Sequence, residues 1–101
     1  MTRHRPRAPI HPGEILRIEF MEPHGLSAYA LAKALSVPAP RVNDIVRERR
    51  GISTEMGLLL SAYFGLSQDF WTNLQGEFER RVAAPRLARQ LARIRSVAAQ
   101  A

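Results

Sequence analysis

Apolar residues recur at helical spacing through most of the chain, and no run alternates long enough to predict a strand. Ala28, Leu31, Ala32 and Leu35 stand at i, i+3, i+4 and i+7, one face of a helix. Ser27 can cap its first turn, and Leu26 can pack on Leu31 as a hydrophobic staple. A short turn follows, Ser36-Val37-Pro38. Val42, Ile45 and Val46 then form the apolar side of a helix from Pro38 or Ala39 to Val46 or Arg47. Its two prolines, Pro38 and Pro40, are tolerable because they lie at its start. Upstream, Pro12 suits a first helical turn, Leu16 and Phe20 share a face, and Pro23 and Gly25 end that helix. Downstream, Ser53 or Thr54 caps a helix with Met56, Leu59, Leu60 and Phe64 as its buried stripe, and Gly65 stops it. Ser67 is expected to cap a fifth helix, which carries Phe70, Trp71, Leu74 and Phe78. A last helix within residues 84–98 puts Leu87, Leu91, Ile94 and Ala98 on one stripe. The predicted fold is all-α: a five-helix domain plus a C-terminal amphipathic helix. Residues 1–11 read as a flexible basic arm, 12–79 as the domain, and 80–101 as a basic helix or tail.

Composition narrows the chemistry. With 101 residues the chain is one small domain. Cysteine is absent, which excludes disulfides, thiolate metal sites and cysteine nucleophiles. No stretch approaches the roughly 18 apolar residues of a membrane span, and the basic start lacks the apolar run of a secretory signal. The cytoplasm is the expected compartment. The formal charge is +6, and fourteen of the fifteen basic residues are arginine, with Lys33 the exception. Arginine offers a rigid fork of donors that suits phosphates and base edges. The charge is uneven. Arg3, Arg5 and Arg7 lie in the arm, Arg47, Arg49 and Arg50 in one short loop, and six arginines with no acid follow residue 79, while residues 51–79 are acidic. Basic patches invite nucleic acid; the acidic middle suggests a second surface that does not face phosphate.

Two short helices joined by a tight turn, Ser27 to Ile45, carry the strongest functional signal. Leu31, Ala32, Leu35, Val37, Val42 and Ile45 can lock the pair at a fixed angle. The outer side of the second helix can then enter a major groove, which admits an α-helix. Arg41 and Asn43 are the leading base readers, since Arg pairs with guanine and Asn with adenine through two hydrogen bonds each. Alternatively, Arg41 holds a phosphate and Asn43 caps or hydrates. Ala39 and Pro40 can touch a thymine methyl or serve only close approach. Asp44 either accepts from cytosine or pairs with Arg47 or Arg41. Arg47, Arg49 and Arg50 read as phosphate clamps; Ser27, Tyr29 and Lys33 on the preceding helix are further phosphate candidates. Phe70, Trp71, Leu74 and Phe78 form core or a dimer seam, met by Tyr63 and Phe64, and Asn73 or Gln75 can bridge two subunits.

The helix pair resembles the helix-turn-helix of the lambda-repressor/Cro-like (XRE) superfamily. More closely, His11-Pro12-Gly13-Glu14-Ile15-Leu16, Arg49-Arg50-Gly51-Ile52-Ser53, and Phe70-Trp71 with Asn73-Leu74-Gln75 resemble HigA-type, VapI-like antitoxins over residues 11–78. The resemblance implies a lambda-repressor-like domain and a homodimer that binds a palindromic operator in double-stranded DNA and represses its own operon. It also implies a HigB-like, RelE-like mRNA-cleaving toxin as protein partner. The chain departs from the family pattern at Ala28, where many members have a phosphate-buttressing Gln, at Ser36, where many have the turn Gly, and in its basic tail, which is more acidic in many relatives. Ser36 is expected to serve only if its φ is not strongly positive.

Other classes fare worse. His4, His11 and His24 lack acidic partners at metal-ligand spacing on a helix, no glycine-rich phosphate loop is present, and Glu77 and Glu79 point to different sides of one helix. No metal, cofactor or catalysis is expected. A stand-alone XRE-type regulator without a toxin is the alternative. A lipid-docking tail is disfavoured, because Leu87, Leu91 and Ile94 lack the bulk of the usual anchors.

Overall fold

The computed structural model describes residues 8–100. The arm's Arg3, Arg5 and Arg7 therefore lie outside the described residues. Every regular element among the described residues is helical. Helix α1, Pro12–Ile15, widens into a π-helical stretch, Leu16–Met21. Then come α2, Ala28–Leu35, α3, Ala39–Val46, α4, Thr54–Phe64, α5, Phe70–Arg86, and two short exposed pieces, α6, Ala88–Arg93, and α7, Val97–Gln100. No described helix is long and apolar enough to cross a membrane.

The start of α1 is more tightly built than a basic arm would suggest. His11 is buried, and its Nδ1 accepts the Gly13 N–H at 2.9 Å, satisfying an orphan donor of the first turn. Pro12 follows at the first helical position, where its missing N–H is no loss. The His11 ring meets Phe78 of α5 edge-on, 4.9 Å between centroids. The last residue assigned to the arm is thus part of the packed body.

The core gathers Leu16 and Met21 from the first helix, Leu31, Ala32 and Leu35 from α2, Val42 and Ile45 from α3, and Met56 and Leu60 from α4 around a fully buried Trp71. Phe20 packs at 5.0 Å from Trp71 and 5.1 Å from Phe64. Phe70 lies 5.1 Å from Trp71. Phe70 and Leu74 are half-buried against this cluster. The cluster of aromatics on α5 is therefore core, with Trp71 at its centre.

Two helix boundaries and one stripe differ from the expectation. Ser27 and Ser53 do cap α2 and α4, accepting from Ala30 and Met56 N–H at 3.0 and 3.1 Å. Ser67, however, does not cap α5: its hydroxyl donates to Asp69 at 3.0 Å. Leu59 is 38% exposed and stands off the α4 stripe, which Gly57 and Ser61 fill instead. Gly57 faces α5, where a Cβ would make only ordinary contact with Trp71 Cβ at 3.4 Å. Finally, α5 runs on through Pro85 to Arg86, so the predicted separate helix from residue 84 begins instead as the end of α5. Glu77 ties Arg80 and Arg81 to this helix at 2.7 and 2.6 Å. The stripe of Leu87, Leu91 and Ile94 is exposed. The molecule measures 55 Å in one direction against 29 and 23 Å in the others.

The buried His11 makes stability depend on pH. Burial lowers its pKa, and the Glu48 carboxylate partly opposes that. Folding selects the neutral ring, because Nδ1 must be bare to accept from Gly13. In the unfolded chain the ring titrates near about 6.5. The contribution of His11 is then fully present above that value and is lost as pH falls from it through the lower folded pKa. The urea midpoint of the wild type is expected to drop between about pH 7 and about pH 5, and that of His11→Gln to drop less. Identical slopes for the two proteins would refute this assignment.

Candidate nucleic-acid interface

The turn between α2 and α3 sets the angle of the pair. Ser36 adopts the left-handed conformation, φ +59° and ψ 44°. This corrects the expectation that a serine here needs a φ that is not strongly positive. The left-handed residue is held by two bonds back onto α2, Ser36 N–H to Lys33 O at 3.2 Å and Val37 N–H to Ala32 O at 3.0 Å. That is the pattern in which helix C-termini usually place glycine. Leu31, Ala32, Leu35, Val42 and Ile45 are buried between the two helices and the rest of the core, and Val37 is half-buried beside them.

What α3 leaves outside mixes polar and small apolar residues. Pro40 is exposed, and Ala39, Arg41, Asn43 and Asp44 are half-buried. Pro38 caps α3 with its backbone only, and its carbonyl accepts Arg41 N–H at 3.1 Å. Because Pro40 has no N–H, the start of α3 offers few free donors of its own. The polar groups that α3 presents are therefore those of its side chains. The Nε of Arg41 is shielded and makes no hydrogen bond. On α2, Ser27, Tyr29 and Lys33 are exposed. The Ser27 oxygen already accepts from Ala30, which leaves its O–H as the group free to donate.

The loop after α3 is fixed rather than loose. Arg47, Arg49 and Arg50 are exposed. Arg49 and Arg50 N–H both donate to Asp44 O, at 2.8 and 3.2 Å, and the Arg49 guanidinium meets Asp44 Oδ1 at 3.1 Å. Asp44 thus pairs with Arg49, not with Arg47 or Arg41. Glu48 takes a left-handed φ of +63°. At the far end, Gln75 of α5 accepts Ile52 N–H at 2.8 Å. Its Nε2 donates to Glu79 at 2.9 Å. Gln75 therefore makes two hydrogen bonds within the chain. Gly51 makes this possible, since a Cβ there would lie 2.7 Å from Gln75 Nε2.

Gly13, Arg17 and Gln75 were not read as site residues from the sequence, yet each touches the recognition helix or its loop. A Cβ at Gly13 would overlap the Ile45 carbonyl oxygen. The Arg17 guanidinium donates to Val46 O and pairs with Glu48 at 3.7 Å.

Comparison with known proteins places this geometry. Residues 18–71 match the helix-turn-helix family model. The chain is 53% identical over 74 residues to virulence-associated protein I of Dichelobacter nodosus, covering 73% of this chain and 68% of that protein. It is 36% identical over 70 residues to antitoxin HigA-1 of Vibrio cholerae, covering 68% of this chain and 65% of that protein, a little under two thirds of its length. Its structure superposes on that of the Pseudomonas aeruginosa antitoxin HigA with the higBA promoter, with a TM-score of 0.82 and 50% identity over 88% of this chain and 98% of that one.

Proposed function

The chain belongs to the helix-turn-helix family, in its HigA and VapI-like branch, and from that premise we propose that it is a sequence-specific DNA-binding repressor serving as the antitoxin of a toxin–antitoxin pair. Its ligand is the double-stranded operator of its own operon. The observation that carries this reading is the half-exposed polar side of α3, with Arg41, Asn43 and Asp44, beside a loop of three exposed arginines, on a body similar to that of a HigA with promoter DNA. In this reading Arg41 and Asn43 read bases, with Ala39, Pro40 and Asp44 flanking them. Arg47 and Arg50, with Arg49 steered by Asp44, grip phosphates, as do Ser27, Tyr29 and Lys33. One helix pair covers half a site, so the protein acts as a homodimer with its two α3 helices about 34 Å apart, one turn of DNA. Its protein partner is a HigB-like, RelE-like ribonuclease.

Two double substitutions test the division of labour. Arg41→Ala with Asn43→Ala is expected to lose about 1–3 kcal/mol of discrimination for each two-bond base contact removed, with the salt dependence nearly kept. Arg47→Ala with Arg50→Ala is expected to weaken all sequences alike and to flatten the salt slope by about one unit per phosphate contact. Binding is measured by fluorescence anisotropy on the upstream palindrome and an unrelated duplex across a salt series. Identical behaviour of the two variants overturns the assignment. The toxin half is tested by co-expressing the chain with the reading frame beside its gene. A stable co-purified complex supports it, and its absence leaves the chain as a stand-alone regulator.

A further inference from the structure

Helix α3 has no basic residue in its last turn. Its final carbonyls carry partial negative charge and have no partner within the helix. Arg17, from the π-helical part of the first helix, supplies the missing cation from outside. Its Nη1 donates to the carbonyl of Val46, the last residue of α3, and its Nη2 meets the Glu48 carboxylate at 3.7 Å. Glu48 is the residue whose left-handed backbone, φ +63°, turns the chain from α3 into the arginine loop. A single guanidinium fork therefore ties the end of the recognition helix to the first bend of the loop.

We infer that Arg17 is a positioning residue for DNA reading: it sets the tilt of α3 and the exit direction of the loop that carries Arg49 and Arg50. This rests on the DNA-binding reading above and deepens it. The side chain acts through Val46 and Glu48 and needs no contact with DNA. Losing it frees the end of α3 while leaving the buried Val42 and Ile45 in place. The base readers then meet the groove at a wrong angle, while the arginines still find phosphates. Discrimination falls and the electrostatic component of binding stays.

The test uses full-length wild type, Arg17→Met and Arg17→Lys. Each is titrated against a duplex of the region directly upstream of the gene and against an unrelated duplex of equal length, over a salt series. Helix content is followed by circular dichroism. Arg17→Met is expected to bind the upstream duplex about tenfold more weakly, comparable to one wrong base pair. Its affinity for the unrelated duplex and its salt slope should match the wild type. Arg17→Lys keeps the charge but cannot span both partners, and should lose about threefold. Should Arg17→Met fail to fold, Arg17→Lys decides. Unchanged discrimination in the folded variants overturns the inference. Equal losses on both duplexes with a slope lower by about one also overturn it, because they mark Arg17 as a phosphate contact. A wild type that does not distinguish the duplexes sinks the DNA-reading premise itself.

Discussion

Gly13→Ala is expected to lower stability by about 3 kcal/mol, the upper part of the range for forcing a methyl into a packed site. In a domain of this size that corresponds to a fall in melting temperature of roughly 15 °C. The reason lies in what the new Cβ meets. At Gly13 it is a backbone carbonyl, that of Ile45, which cannot step aside without moving α3. The other glycines are more forgiving. At Gly51 the nearest atoms are the end of the Gln75 side chain, which can swing at the loss of its two hydrogen bonds. At Gly57 the contacts are ordinary, 3.4 Å and beyond. Gly25 and Gly65 have open space, so alanine there meets only the strain of φ near +63° and +71°, worth about 1 kcal/mol. Thermal melts of the five Gly→Ala variants should rank Gly13 as the most damaging. Operator discrimination of any folded Gly13→Ala should fall as well, because its Cβ pushes on the recognition helix. A Gly13→Ala protein that melts within a few degrees of the wild type would show that the two backbones do not lie this close.

The same residue marks where sequence reasoning reaches and where it stops. The α2–turn–α3 unit was legible because its signals are local: a cap at Ser27, an apolar face at helical spacing, and a turn with a proline after it. Its interior residues, Leu31, Leu35, Val42 and Ile45, are buried as expected. The aromatic spacing of α5 likewise pointed to core packing. What failed was decided by competition or by distant neighbours. Ser36 looked unsuited to a positive φ, but two hydrogen bonds onto α2 hold it there. Ser67 looked like a cap, but its hydroxyl donates a hydrogen bond to the nearby Asp69 carboxylate instead. A last helix is expected within residues 84–98, but α5 runs on through Pro85 and ends one residue later, soon after losing a bond there. The roles of Gly13, Arg17 and Gln75 depend on partners 23 to 32 residues away, Ile52 for Gln75 and Ile45 for Gly13 among them. No periodicity carries that information. The motif His11-Pro12-Gly13-Glu14 could be recognised as distinctive, but why it is built so appears only once α1 is seen against the end of α3.

Trp71→Ala is expected to cost about 3–5 kcal/mol, the range for deleting a buried aromatic ring, and so to remove much of the stability of a small domain, whose total is about 5–15 kcal/mol. Trp71 has no exposed surface, and Phe20 and Phe70 close around it at 5.0 and 5.1 Å. Truncation leaves a cavity between α5 and the first helix that rigid neighbours cannot fill. The variant should be largely unfolded at 37 °C, as read by near-ultraviolet circular dichroism of the remaining aromatics and by urea unfolding. Trp71→Phe is the sharper experiment, because two effects oppose. The smaller ring loses contact area, which destabilises. The indole Nε1–H, however, is buried without a hydrogen-bond partner, and an unpaired buried donor costs about 1–3 kcal/mol. Phenylalanine carries no such donor, so its net loss should be about 1 kcal/mol, far below that of alanine. The exposed Leu59 provides the control: Leu59→Ala should shift the urea midpoint by the equivalent of about 0.5 kcal/mol or less. If Trp71→Phe proves as damaging as Trp71→Ala, the whole indole is required at the centre of this core. The unpaired indole would then carry none of the cost assigned to it.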